Sequence, residues 1–185
     1  MERALKELIA SDIKRVSAHP LTLKERLSLP PQLKYQILWR KAAFYYKKGG
    51  FLRKWYGLLL DRAQEKTQIT LPRETEAGPG LYIGHYGRLI VSPDAKIGKN
   101  VNLSTGITIG AANRGSKKGA PVIGDEVWIG TNAVIVGHVT IGNDVMIAPG
   151  AFVNFDVPAH SVVVGNPGVI HAKENATEGY INGKV

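Results

Sequence analysis

A chain of 185 residues with 44% hydrophobic content can bury a core, as one compact domain or as a short solenoid with an appended segment. No apolar run reaches the roughly eighteen residues of a spanning helix, and the start, MERALKELIASDIKRV, is too charged for a secretory leader, so a cytoplasmic protein is expected. The absence of cysteine excludes disulfides, thiolate metal sites and cysteine nucleophiles together. The formal charge of +9 lies entirely in residues 1–66, which hold 15 Lys+Arg and 6 Asp+Glu, against 9 of each in the remainder. A neutral body with one basic end points to a local surface for an anionic partner rather than to a nucleic-acid-binding protein.

Residues 1–66 read as a basic α-helical region. Apolar residues recur there at spacings of three and four, and the pattern is broken at His19 (HPLT), Leu29 (LPPQ) and Lys47 (KKGGF), which predicts three or four short helices. The segment LKYQILWRKAAFYYKKGGFLRKWYGLLLDR interleaves Tyr35, Trp39, Phe44, Tyr45, Tyr46, Trp55 and Tyr56 with basic residues. One reading is an interfacial surface for peripheral contact with an anionic membrane. The other is that the aromatics pack the helices together while the bases face water.

From residue 67 to 170 the chain counts in sixes. Lines headed by Ile123, Ile129, Ile135, Ile141, Ile147 and Val153 run for 36 residues without a slip, and the fifth place of each (Val127, Ala133, Val139, Val145, Ala151, Val157) is small or β-branched. Upstream the frame continues at Val91, Ile97, Leu103 and Ile109, and more weakly at Leu71 and Ala77, for thirteen hexapeptides and a little over four coils between Leu71 and Pro158. A period of six fits no helix. It fits a short strand whose leading residue points inward, followed by a tight turn with glycine or asparagine where φ is positive, stacked so that the aliphatic residues form a continuous column.

The count breaks twice. Ile83 to Val91 is eight residues instead of six, and Ile109 to Ile123 is fourteen. Insertions leave a solenoid as loops, often on its binding face. The short one carries His85, and the long one Arg114, Lys117 and Lys118. Elsewhere His19, His160 and His171 read as surface residues, and His138 points outward from the fourth place of a regular hexapeptide; this single in-repeat histidine lacks acidic or histidine neighbours at ligand spacing, so no metal is expected.

The pattern resembles the hexapeptide-repeat proteins, which fold as a left-handed parallel β-helix with three hexapeptides per coil. Within them, GHYGRLIVSPDAKIGKNVNLSTGITIG, PVIGDEVWIGTNAVIVGHVTIGNDVMIAPGAFV and VPAHSVVVGNPGVI look like a serine acetyltransferase core. The resemblance implies a mainly β protein with a short α-helical N-terminal region, and an acetyl-CoA-dependent O-acetyltransferase acting on serine in cysteine biosynthesis or on a related small hydroxyl compound. His85 occupies the place of the family's catalytic histidine, in a loop of the type Asp-His-Ala-Thr-Gly. An imidazole, with an ordinary pKa of about 6.5, suits a general base that takes the hydroxyl proton as it attacks a thioester. The developing negative charge on the thioester oxygen needs donors, which backbone N–H groups of glycine turns can supply.

By the same resemblance acetyl-CoA lies in a groove between the β-helices of a homotrimer, with a dimer of trimers as the larger assembly. The matching positions are Gly110 and Ala111, Gly130 and Thr131, and Ala148 and Pro149; Lys117 and Lys118 are candidates for the CoA phosphates, the alternative being a solvated loop tip. Three departures fall on the acceptor side: Gly84 stands where the family has an acidic residue, Gly119 and Ala120 where it has Arg-His, and Thr70 where a carboxylate orients the imidazole. They leave a sugar hydroxyl, in surface-glycan synthesis, as the alternative acceptor. Asp94 is the acid nearest His85 in the chain, and SPDAKIG reads equally as turn chemistry. The polar tail, 171–185, is expected to be loose or to wrap a neighbour, and Val185 echoes the C-terminal aliphatic residue with which some serine acetyltransferases dock into the next enzyme of cysteine synthesis.

Overall fold

The computed structural model describes residues 2–17, 21–22, 24–25 and 28–185. Among the described residues the helices α1 (Glu2–Lys14), α2 (Pro31–Lys48) and α3 (Phe51–Thr67) precede fifteen short strands. These are β1 (Ile69–Thr70), β2 (Glu76–Ala77), β3 (Tyr82–Ile83), β4 (Leu89–Val91), β5 (Lys96–Ile97), β6 (Asn102–Leu103), β7 (Thr108–Gly110), β8 (Val122–Ile123), β9 (Val127–Ile129), β10 (Val134–Val136), β11 (Thr140–Ile141), β12 (Val145–Ile147), β13 (Phe152–Val153), β14 (Ser161–Val164) and β15 (Val169–Ala172). The predicted breaks at Leu29 and Lys47 fall between helices, α2 starting with Pro31 in its first turn, where a missing N–H costs nothing. The break predicted at His19 lies outside the described residues. The helices are longer than expected, 13, 18 and 17 residues.

Strands three apart in the chain, and β12 with β14, pair in parallel, giving three faces: β1-β4-β7-β10-β13, β2-β5-β8-β11 and β3-β6-β9-β12-β14, the last extended by antiparallel β15. This is a three-sided solenoid of nearly five coils. It exceeds the expected four because it begins at Ile69 and continues through Val164, beyond the regular hexapeptides. Both insertions appear in the register. Val134 lies over Phe152 at the regular step of eighteen residues, Ile69 over Leu89 at twenty, and Thr108 over Val134 at twenty-six.

The core is the column that the period demanded, with one change in how it is built. Head and fifth residues are both buried, as in Val127 and Ile129 or Val145 and Ile147, and the residue between them, Trp128 or Met146, faces out. Each strand therefore starts at the fifth place and ends at or just past the next head, so the head is not its leading residue. Two inward residues flanking one outward residue is the alternation that a strand requires. The turns also depart from expectation: Glu126, Asp144 and His160 take positive φ alongside Asn100 and Gly80, all stacked at the corner between the second and third faces.

That corner is occupied by the tail, which is not loose but bonded to its own chain. Asp144 accepts hydrogen bonds from the amides of Ala176 and Thr177 (both 3.0 Å) and from the Thr177 hydroxyl (2.8 Å); Asn102 Nδ2 donates to Tyr180 O (3.0 Å), whose ring meets Trp128. At the far end Asn100 exchanges hydrogen bonds with the Val185 backbone. The left-handed residues are held by what their side chains bind.

The helices cover the open first coil. Tyr35 and Trp39 of α2 are 1% exposed and reach the carbonyls of Leu71 and Pro72 (3.2 and 2.9 Å), and burial pushes the Tyr35 phenol up to about 12. Arg40 is the pivot. It grips Asp12 of α1 through two hydrogen bonds (2.8 and 2.9 Å) and donates to the carbonyls of Ala77 and Gly78, while Asp12 accepts the Leu81 amide (3.0 Å). Arg15 joins the helices to the tail, donating to Gly80 O, Asn102 Oδ1 and Asn182 O, each at 2.6 Å.

Two outcomes follow from these contacts. Asp12→Ala leaves Arg40 buried without its counter-charge and is expected to cost about 3–5 kcal/mol in denaturant unfolding, with α1 becoming the first protease-sensitive segment. The tail latch depends on pH. The hydrogen bond to Asp144, and then the charge of Glu174, raise His160 above its ordinary 6.5; partial burial acts to raise Asp144, but hydrogen bonds from Thr177, His160 and Ala176 outweigh it and hold the carboxyl below its ordinary 3.8. The His160 contribution is full below its unfolded pKa and lost as pH rises through the raised value; the Asp144 contribution is present above its unfolded pKa and lost as pH falls through the lowered one. Corrected for intrinsic rates, amide-exchange protection of Ala176 and Thr177 is expected to fall as pH rises from about 6 to about 8, and His160→Gln to abolish that fall.

Candidate active site

The short insertion lies between β3 and β4, at the corner where the third face turns into the first. A ladder of backbone hydrogen bonds runs along this corner from coil to coil: Gly87 N to Thr67 O (2.8 Å), Gly106 N to Arg88 O, Asn132 N to Thr105 O (3.1 Å) and Gly150 N to Thr131 O (2.9 Å). The other turns of this stack are two residues shorter. The turn with two extra residues stands out from it and exposes His85 and Tyr86. Gly87 makes the excursion possible with a φ of +121°, a region that residues bearing a Cβ avoid.

The base of the loop is fixed at three points. Gly84 N donates to Leu103 O (3.0 Å), Gly87 N to the end of α3, and Gln32 Nε2 of α2 to Gly84 O (3.2 Å). The helical region thus supports the histidine loop directly. The His85 ring itself makes no hydrogen bond or ion pair among the described residues, so within one chain both ring nitrogens are available.

Of the other predicted residues, Gly130 and Thr131, then Ala148 and Pro149, share this corner with His85 but lie two and three coils beyond it, past the turn of Ser104 to Gly106. Thr131 and Pro149 are exposed at its edge, whereas Gly130 is buried. Gly130 is small for a packing reason, since a Cβ there would sit 2.6 Å from Pro149 N. The amides of Gly130 and Ala148 are engaged with Ile147 O and Val163 O (both 2.8 Å), so a ligand on this strip meets the Thr131 hydroxyl and turn carbonyls rather than those two N–H groups.

Gly110 and Ala111 lie elsewhere, on the opposite edge of the first face, where the long insertion emerges. That loop closes on itself through Ala112 and Gly119 and leans over the next coil, with His138 N donating to Lys117 O (2.8 Å). Lys117 Nζ pairs with Asp156 (3.0 Å), whose other oxygen accepts from Thr140 N; the amide hydrogen bond, then that of Lys117, holds the Asp156 carboxyl below its ordinary value. Lys118 and Arg114 are exposed. One chain therefore carries the candidate residues in two separate groups, His85 with the Thr131 strip on one edge of the first face and Gly110 with the lysine loop on the other.

A scan of protein families matches residues 120–154 to the bacterial transferase hexapeptide (six repeats) model. The chain is 32% identical over 126 residues to the serine acetyltransferase of Bacillus pumilus, covering 68% of this chain and 57% of that protein. Among solved structures it superimposes on Neisseria gonorrhoeae serine acetyltransferase in complex with serine (TM-score 0.77, 26% identity, 92% of this chain and 70% of that one). It also superimposes on the Brucella abortus enzyme in complex with coenzyme A (TM-score 0.76, 25% identity, 94% and 68%). Residues 120–154 match the hexapeptide-repeat model, and the chain is similar to the serine acetyltransferases. Its solenoid is the left-handed β-helix that the repeat implied. It spans little more than half the length of the B. pumilus relative, so activity and substrates are a matter of proposal.

Within this hexapeptide-repeat framework the remaining candidates fall into place. Thr70 is exposed on the outer surface of the first face, beside Ile90. Asp94 sits in the turn after β4, its amide bonded to Ser92 Oγ (3.4 Å), at the far edge of that face from His85. His171 is exposed on β15, and His160 belongs to the tail latch. Among the described residues no group of three or more His, Asp or Glu side chains is placed to hold a metal. The Gln32 contact and the tail's hold on Asp144 had no local signal, because the partners are 52 and 33 residues apart.

Proposed function

We propose that the protein is an acetyl-CoA-dependent O-acetyltransferase whose acceptor is serine, with His85 as general base, working as a cytoplasmic homotrimer. The observation that carries this is the exposed His85 loop, the one turn of its corner lengthened by two residues, standing over a strip of small and hydroxyl-bearing residues. The relatives' names support serine over a sugar as acceptor. Among the described residues no helix is long and apolar enough to cross a membrane.

In the reaction the serine hydroxyl oxygen attacks the thioester carbonyl carbon while its proton passes to a free ring nitrogen of His85. Collapse of the tetrahedral species breaks the carbon–sulfur bond, and the departing thiolate takes the proton from the imidazolium. Products are O-acetylserine and CoA, with no covalent acetyl-enzyme. The two groups of candidate residues on opposite edges of one face support the trimer, because neighbours packed about a three-fold axis bring one chain's His85 edge to the next chain's Gly110 and lysine loop. Gly110, Ala111, Gly130, Thr131, Ala148 and Pro149 would line the CoA groove, the small residues giving room and Thr131 a hydroxyl. Lys118 would meet CoA phosphates directly, and Lys117 on release from Asp156.

A thioester-cleavage assay with acetyl-CoA tests the proposal. Serine-dependent release of CoA is expected, falling by about 10²–10⁴ in His85→Ala with unfolding unchanged. Cleavage with sugars and not with serine would replace the acceptor, and full activity in His85→Ala would remove the base.

A further inference from the structure

The aromatic residues of the basic N-terminal region divide into two sets. Tyr35 and Trp39 are buried, and Tyr45 stacks on Tyr56 with ring centroids 4.9 Å apart, so these pack the helices. Phe51 and Trp55 do not. They are 77% and 50% exposed, and with Leu58 (47%) they recur at i, i+4 and i+7 along one outward stripe of α3, with Leu52 (41%) beside it. The opposite side of the helix, Gly57 and Leu60, is the one that is buried.

The stripe begins at a tip. Gly49 and Gly50, both at φ +78°, turn the chain between α2 and α3 with nothing within 4 Å of where their side chains would be. Around that tip Lys48 lies over the rings of Phe44 and Tyr45, Arg53 lies over Tyr46, and Lys54 is exposed on the flank of the stripe. Between Glu25 and Asp61 the sequence has eight Lys+Arg and no acidic residue.

We propose that this outward face of α3, with the α2–α3 tip, is a docking surface for the headgroup region of an anionic lipid bilayer. Exposed Phe, Trp and Leu on one stripe, flanked by cations whose charged groups lie over aromatic rings, match a surface that is apolar inside and negatively charged at its edge. A second copy of the chain fits less well. Pairing this face with itself so that the two α3 helices run parallel sets one basic tip against another, which repels. The face is separate from the His85 edge, so the proposal stands independently of the acetyl-transfer chemistry.

Sedimentation of the full chain with phosphatidylcholine vesicles, with and without about one third phosphatidylserine, tests it. Binding is expected to the anionic vesicles only, and to weaken strongly between about 0.05 M and 0.5 M salt. The Phe51→Ser/Trp55→Ser and Lys48→Glu/Lys54→Glu pairs, all at exposed positions, are each expected to weaken it by about tenfold or more, with circular dichroism and thioester cleavage in solution unchanged. Absence of wild-type binding at low salt would overturn the proposal, as would equal binding by both pairs. A change of oligomeric size in the Phe51→Ser/Trp55→Ser variant, without any change in vesicle binding, would overturn it too and assign the face to a subunit contact.

Discussion

The structure depends on the inward pairing of the fifth and head residues of each hexapeptide. Val127 with Ile129 and Val145 with Ile147 place two aliphatic side chains per strand in the column, and eighteen residues later the next pair stacks directly on them. Burying a chain of such pairs, each side chain worth roughly 1.5–3 kcal/mol, gives a register that no single strand of two or three residues could hold. Because that register cannot slip, extra residues have one way out. They leave at the corners, and the two insertions become the only irregular surfaces in the regular part of the solenoid.

A solenoid also has ends, and here they are closed by polar groups as well as by apolar ones. The first coil is covered by α2, and α1 is attached through the Arg40–Asp12 pair, 4% and 1% exposed. Such a pair contributes less to net stability than to placement, since two buried charges satisfy each other and two carbonyls in only one arrangement. The tail closes the corner between the second and third faces and returns to Arg15, so that helices, solenoid and tail form one connected set of hydrogen bonds. Gln32 extends it to the His85 loop. The helical region is part of the support of the candidate site.

Much of this was legible in the sequence because the determinants repeat. Six consecutive heads without a slip define the coil, and the two breaks in the count locate His85 and the lysine loop without any structure. The strand phase was less legible, since a head and a fifth residue two apart look alike until the outward Trp128 or Met146 between them is seen. Turn residues were harder still. Glycine and asparagine are expected at positive φ, whereas Glu126, Asp144 and His160 are tolerated there, with Glu126 and Asp144 anchoring the tail and His160 bonded to Asp144. The interleaved aromatics of residues 33–62 carry two roles in one stretch, and only burial separates the packing set from the exposed set.

The central claim is that the His85 edge of one chain and the Gly110 edge of another make a CoA groove. The most direct measurement is calorimetric titration of the assembled protein with CoA. The account predicts saturable binding of one CoA per chain, retained in His85→Ala because that ring acts on the acceptor, and weakened when Thr131 is replaced by a bulky residue such as Trp. Absence of binding, or binding indifferent to Thr131→Trp, would contradict it.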